Sequence, residues 1–272
     1  MQKVHDFSIG IAGESGEGIM LAGDILALAA ARSNVHVSSV RVFPAEVRGG
    51  PSLHRTRYGT DVYNQGGLYD IFVALSTPHY ELHRASIAPH AVVMLDGDPE
   101  TFRPAETYPE LAGRSVYVLP MEKIAREEIK DARAKNMVAV GACAALFDFS
   151  REVIEQNLAE RYRRKDEKIY LNNLGGFTAG YKYAQERLQK SDAYALKSTE
   201  GEGLLIVSGN EAIGLGALLA GCRFYGGYPI TPASEIMEFM AAELPKVGGA
   251  MYQAEDEIAS IGMVLGAGFA GV

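Results

Sequence analysis

Gly226-Gly227-Tyr228-Pro229-Ile230-Thr231-Pro232-Ala233-Ser234-Glu235 follows an apolar run over 222–225 and leads into a helical pattern, and its reading decides the fold. The apolar run predicts a buried strand. The two glycines after it let the backbone turn at dihedrals that other residues adopt only at a cost, and Pro229 and Pro232 fix φ on either side of Thr231. Thr231 is therefore expected as N-cap with Pro232 at the first helical position, where a missing N–H costs nothing. Strand, glycine turn and helix in that order make a βα unit whose helix N-terminus directs free amides beyond the strand end, a disposition suited to an anion. From the residues alone, a well-capped structural turn and a ligand-facing turn fit equally well.

Working outward, 251–253 reads as the next strand and 257–270 as a helix opened by Glu255-Asp256-Glu257. On the other side, 204–208 reads as a strand, followed by a helix capped by Asn210 and ending at Gly221. The stretch before it, 191–203, is polar and without periodicity, and Lys197-Ser198-Thr199-Glu200-Gly201-Glu202-Gly203 carries two glycines, so it reads as an interdomain linker. The expected organisation is a first α/β domain over 1–190, a linker over 191–203, and the beginning of a second α/β domain over 204–272, cut off after three βα units.

The first domain opens with an apolar strand over 7–12, the turn Gly13-Glu14-Ser15-Gly16-Glu17-Gly18, and a helix to about Arg32. The dinucleotide fingerprint fails here: Leu21 stands where the third glycine belongs, and the next strand, 35–43, does not end in the acid that holds a ribose. The phosphate-loop pattern fails as well, because Ile19 and Met20 replace its lysine and hydroxyl residue. What is left is a glycine turn at a helix N-terminus, equally a structural turn and a cradle for a phosphate. Glu46-Val47-Arg48-Gly49-Gly50-Pro51-Ser52 forms a second loop, in which Arg48 sits beside two glycines; taken alone, such an arginine is more often simply solvated. Strand-like runs follow at 71–75, 91–96 and 115–119, separated by helical spacing over 79–87 and 121–135, which predicts a largely parallel sheet with 53–58 added at its edge. Lys135-Asn136-Met137 opens an apolar helix, and 151–188 is helical and rich in charge. Asp96-Gly97-Asp98 lacks the residues needed to hold Mg²⁺ and a diphosphate, and the histidines form no metal or nucleophile pattern.

Composition removes several classes of function. A net charge of −8 argues against nucleic acid. The longest apolar run, 137–147, falls short of the roughly 20 residues a membrane helix needs, and the first residues do not form a secretion signal, so no membrane role and a cytoplasmic location are expected. The two cysteines, Cys143 and Cys222, have no second ligand at metal-binding spacing, so this chain by itself holds no four-cysteine cluster.

Two motifs, Tyr228-Pro229-Ile230-Thr231-Pro232-Ala233-Ser234-Glu235 and Gln253-Ala254-Glu255-Asp256-Glu257-Ile258-Ala259-Ser260, resemble the pyrimidine-side domain of the thiamin diphosphate-dependent 2-oxoacid:ferredoxin oxidoreductases. The glycine turn, the Arg48 loop and the Asn136 helix start resemble the gamma domain of the same family. The order of the two is similar to the fused large subunit, whose substrates include 2-oxoglutarate, taken as the leading expectation, and pyruvate or indolepyruvate. The alternative of another class is a non-catalytic coenzyme A-binding or assembly subunit.

The resemblance implies oxidative decarboxylation, with coenzyme A accepting the acyl group and ferredoxin the electrons. It implies a beta subunit as partner, bringing Mg²⁺ and a 4Fe-4S cluster, in a dimer of heterodimers. Gly13, Ser15, Gly16, Gly18, Arg48 and Asn136 would meet coenzyme A, though the family's loop more often reads Gly-x-Gly-Gly-Gln-Gly, so Ser15 and Glu17 depart from it. Tyr228, Pro229, Ile230 and Thr231 would meet the 2-oxoacid, and Glu257 would hold a proton at N1′ of the thiamin aminopyrimidine. For that role Glu257 is expected to be buried by the small and apolar residues after it, and the apolar face around Tyr228 and 263–269 is expected to be covered only by a partner.

Overall fold

In the computed structural model, residues 3–42, 50–231 and 233–272 are described, and the chain divides into two compact units, Met1–Leu205 and Ile206–Val272. In the first, strands β1 (Phe7–Glu14), β2 (His36–Val42), β3 (Pro51–Gly59), β4 (Tyr69–Ala74), β5 (Ile87–Asp96) and β6 (Val116–Leu119) form one sheet in the order β2-β3-β1-β4-β5-β6. Helices α1 (Ile19–Arg32), α2 (Thr77–His83), α3 (Pro104–Thr107), α4 (Met121–Glu127), α5 (Lys135–Leu146), α6 (Arg151–Tyr162) and α7 (Glu167–Arg187) cover it. Strands β1, β4, β5 and β6 run parallel, as the alternation of strands and helices predicts. Their side chains divide by the period of two: Ile71, Val73, Val92 and Met94 join the apolar cluster that includes α1 and α5, while Phe72, Ala74, Val93 and Leu95 join the other, beneath α2. Burial on both faces explains why these strands read as continuous apolar runs.

The other half of the sheet departs from expectation. Strand β3 is no edge strand: it lies between β2 and β1 and pairs antiparallel with both. Its polar residues disguise an interior position, because Ser52, His54 and Thr56 are buried. The His54 ring satisfies itself locally, with Nδ1 3.2 Å from Thr56 Oγ1 and Nε2 3.2 Å from Asp24 Oδ1 of α1. Burial alone would push the Asp24 carboxyl up, but the His54 hydrogen bond and the Arg41 guanidinium outweigh it and hold the group below its ordinary range.

The segment expected as linker is largely built into the first unit. Tyr194, Ala195 and Leu196 are buried. The Ala195 N–H donates to Val4 O at 3.0 Å, and the Leu196 N–H to Phe147 O at 2.8 Å. The charge-rich 151–188 resolves into two helices because Ser150 and Asp166 each cap a new start.

The second unit contains α8 (Gly209–Leu219), β7 (Phe224–Gly227), α9 (Ser234–Glu243), β8 (Ala250–Gln253) and α10 (Glu257–Phe269), with β7 and β8 parallel. The strand expected over 204–208 does not form: among the described residues no neighbouring strand takes up its backbone groups, and Leu205 and Val207 are exposed. The cap of α8 is Ser208 rather than Asn210; its hydroxyl accepts from the Glu211 N–H and the Glu211 carboxylate accepts from the Ser208 N–H, a complete capping box. Among the described residues no helix is long and apolar enough to cross a membrane.

Candidate functional site

The parallel strands of the first unit release their chain at one edge, where open sheets of this kind take ligands. β1 ends in the glycine turn, in which Gly16 (φ 100°) and Gly18 (φ 75°) hold the left-handed conformation that favours glycine. Gly18 is also the N-cap of α1. Of the turn's amides, the Glu14 N–H donates to Glu17 Oε2 at 2.8 Å, the Ser15 N–H to Gly50 O at 2.9 Å and the Glu17 N–H to Glu14 O at 3.0 Å. The N–H groups of Gly16 and Gly18 have no acceptor among the described residues. Gly50 answers by donating its own N–H to Glu14 Oε1 at 3.3 Å, so the second loop is pinned to the first at that residue. Arg48 lies outside the described residues.

Asn136, 3% exposed in the first turn of α5, sits against this turn. Its Nδ2 donates to Gly18 O at 3.0 Å, and a Cβ at Gly18 would stand 2.3 Å from that nitrogen. Asn136 thus fixes the turn through a backbone carbonyl. Gly13, Ser15, Gly16 and Gly18 share this turn, and Asn136 packs against it.

Beside them the structure adds residues that sequence reading missed. Lys135, whose side chain is 8% exposed, places its ammonium 2.9 Å from Asp96 Oδ2 at the end of β5 and 3.7 Å from both Glu17 Oε1 and Glu122 Oε2. Arg126 first, and Lys135 after it, hold the Glu122 carboxyl below its ordinary range. Gly16, Glu17, Glu122, Arg126, Arg133 and Lys135 line an open cleft of about 230 Å³. The signal for Lys135 was its place immediately before Asn136 at the start of an apolar helix, where a cation opposes the helix dipole and needs carboxylate partners.

The second unit assembles its candidates by topology. Gly227 pairs with Gln253, so the segment Tyr228 to Thr231 and the segment Ala254 to Glu257 leave the same edge of the two-stranded sheet. The Ala254 N–H donates to Gly227 O at 2.8 Å and ties the two exits together. Tyr228, Pro229, Ile230 and Thr231 are all exposed. Thr231 does not cap α9: the Ser234 N–H donates to Ile230 O at 3.0 Å, this turn closes first, and the helix starts after it with Ala233 as an N-cap that offers no side chain. Pro232 lies outside the described residues.

Asp256 caps α10, its Oδ1 accepting from the Ala259 N–H at 2.7 Å. Glu257 is exposed rather than buried, because α10 buries only Ser260 and leaves its large apolar residues exposed, Ile258 at 84% and Phe269 at 98%. The Glu257 carboxylate has no hydrogen-bond or ion-pair partner among the described residues. Cys143 is fully buried in α5, and burial pushes its thiol up to about 12; the Cys222 thiol donates to Phe224 O. Among the described residues no group of three or more histidine, cysteine or acidic side chains is arranged to hold a metal ion.

Comparison with known proteins adds the following. The profile of the family described as pyruvate ferredoxin/flavodoxin oxidoreductase matches residues 8–183, and that described as pyruvate flavodoxin/ferredoxin oxidoreductase, thiamine diP-bdg, matches 215–272. The 2-oxoglutarate synthase subunit KorA of Methanocaldococcus jannaschii is 59% identical over 66 residues, 24% of this chain and 18% of that protein. The 2-oxoglutarate oxidoreductase subunit KorA of Mycobacterium tuberculosis is 28% identical across 99% of this chain and 46% of its own length. A solved structure of 2-oxoglutarate:ferredoxin oxidoreductase from Magnetococcus marinus, with 2-oxoglutarate, coenzyme A and succinyl-CoA bound, superposes with a TM-score of 0.86 at 38% identity, over 99% of this chain and 46% of that one. This chain therefore spans less than half the length of each of these proteins.

Proposed function

Since the chain belongs to the pyruvate ferredoxin/flavodoxin oxidoreductase family, we propose that it is the gamma and early pyrimidine-side part of a thiamin diphosphate-dependent 2-oxoacid:ferredoxin oxidoreductase acting on 2-oxoglutarate. The observation that carries this reading is the likeness along 99% of this chain, both units in the same order, to an oxidoreductase solved with 2-oxoglutarate and coenzyme A bound.

Thiamin diphosphate supplies the stabilisation of negative charge at the decarboxylated carbon. The residues present fit such a group: Glu257 offers a carboxylate with no partner among the described residues, at the strand ends from which Thr231 also leaves. Glu257 would hold the proton at N1′, acquiring its cover from polypeptide packed over α10. Thr231 would donate its hydroxyl to an oxygen of the 2-oxoacid, with Tyr228, Pro229 and Ile230 lining that approach and excluding water.

In the first unit, Gly13, Ser15, Gly16, Gly18 and Arg48 would receive coenzyme A, with Asn136 holding the turn in shape. The Gly16 and Gly18 amides are available, and the cleft beside them carries Arg126, Arg133 and Lys135. A beta subunit would carry the 4Fe-4S cluster and Mg²⁺, in a dimer of heterodimers, with ferredoxin as electron acceptor; the two cysteines of this sequence do not make a four-cysteine cluster.

The test is a panel of 2-oxoacids given to the assembled protein, reading reduced ferredoxin and acyl-CoA together. The expected result is a preference for 2-oxoglutarate with formation of succinyl-CoA. Preference for pyruvate or indolepyruvate would correct the substrate, and no ferredoxin reduction with any acid would leave a coenzyme A-binding or assembly subunit.

A further inference from the structure

Glu17 occupies its own turn. Its side chain folds back so that Oε2 accepts the Glu14 N–H at 2.8 Å, while Oε1 lies 3.7 Å from the Lys135 ammonium. The carboxylate lies over Gly13: a Cβ added there would stand 2.7 Å from Glu17 Oε2 and 2.5 Å from the end of the Ile19 side chain. The space that a strand-end glycine opens for an approaching anion is thus filled by an anion from the turn itself, satisfied by one backbone N–H and one buried cation. A ligand phosphate would use the same kind of partners.

The surrounding charges make this arrangement exchangeable. The shortest contact of Lys135 is the 2.9 Å one to Asp96, not the one to Glu17, and Glu122 lies at 3.7 Å. Glu17 is about one-third exposed and borders the cleft, with the N–H groups of Gly16 and Gly18 next in the chain. Swinging its carboxylate outward would return it to water and leave an ammonium with a vacant donor direction facing the turn.

We propose that Glu17 is a displaceable internal ligand that sets the affinity of this turn for phosphate: a phosphate of coenzyme A replaces the Glu17 carboxylate at Lys135 and at the Glu14 N–H. Glu17 is then an affinity-determining residue, not a catalytic one, and the inference rests on the reading that the turn takes coenzyme A.

The experiment is calorimetric titration of coenzyme A into the assembled protein and its Glu17→Gln and Glu17→Ala variants, with thermal unfolding of each measured alongside. Glutamine retains the shape and an oxygen for the Glu14 N–H but gives up the charge opposite Lys135; alanine removes the side chain from above Gly13. Losing a charged hydrogen bond to the internal carboxylate should tighten coenzyme A binding about tenfold in Glu17→Gln, and at least as much in Glu17→Ala, while the unfolding temperature stays level or falls. A purely structural carboxylate would lose stability and affinity together. Unchanged or weaker binding by both variants, against measurable binding by the unsubstituted protein, overturns this inference alone. No detectable binding by the unsubstituted protein overturns the coenzyme A reading with it.

Discussion

Thr231 and Glu257 are the residues on which the proposed chemistry turns, and each sits differently from what the sequence led us to expect. Two prolines around Thr231 suggest a capped helix start, yet the turn from Ile230 to Ser234 closes first and leaves the hydroxyl exposed and unengaged with the helix amides. The dipeptide rules that place a cap are local, while the first helical residue is set by which carbonyl a following amide reaches. Because no cap is lost, Thr231→Val should leave the unfolding temperature of the protein nearly unchanged. In the assembled protein the same variant should lose most 2-oxoacid turnover, and Thr231→Ser should retain it. Steady-state rates of the two variants measure this, and normal turnover by the valine variant would remove Thr231 from the substrate site. For Lys135 the position before an apolar helix was legible but its partners were not: the three carboxylates come from β5, α4 and the turn after β1, elements far apart in the chain.

Strands and helices with an apolar period were the readable elements. β1, β4, β5 and β6, each inside or close to its expected span, follow from runs that both faces of the sheet bury. β3 was misplaced because its buried polar groups satisfy one another, and the run over 204–208 forms no strand because a strand needs a neighbour as well as a composition. Glycines divide in the same way. At the crossing of α5 and α7, a Cβ on Gly180 would stand 2.0 Å from Val138 O and one on Gly141 the same distance from Phe177 O, so the two helices meet backbone to backbone. On α10, a Cβ on Gly262 meets nothing within 4 Å. Nothing in sequence separates these glycines, but their substitution should. Gly180→Ala overpacks the crossing and should destabilise the first unit by roughly 1–3 kcal/mol or more. Gly262→Ala should be neutral or stabilise α10 by up to about 1 kcal/mol in the chain studied alone. Chemical denaturation of both variants measures the contrast; equal effects would mean that the α5–α7 crossing relaxes freely.

At the scale of the whole molecule, each of the two units carries one candidate site, a glycine turn held by Asn136 in the first and the strand ends that lead to Thr231 and Glu257 in the second. The exposed apolar face of α10 and the bare Glu257 carboxylate are consistent with a surface completed by other polypeptide, and this chain spans less than half the length of the relatives it matches. The family was legible in the two motifs, whereas the exposure of Glu257 was not, since the small and apolar residues after it suggest burial and α10 buries only Ser260. If Glu257 is the acid that activates thiamin diphosphate, exchange of the cofactor's C2 proton with deuterated water in the assembled protein depends on its carboxyl group. Replacing a group that positions that proton transfer should slow the exchange at least about a hundredfold in Glu257→Gln with thiamin diphosphate still bound, while Glu255→Gln leaves it nearly intact. Exchange in assembled Glu257→Gln at the rate of the unsubstituted protein would remove Glu257 from that role.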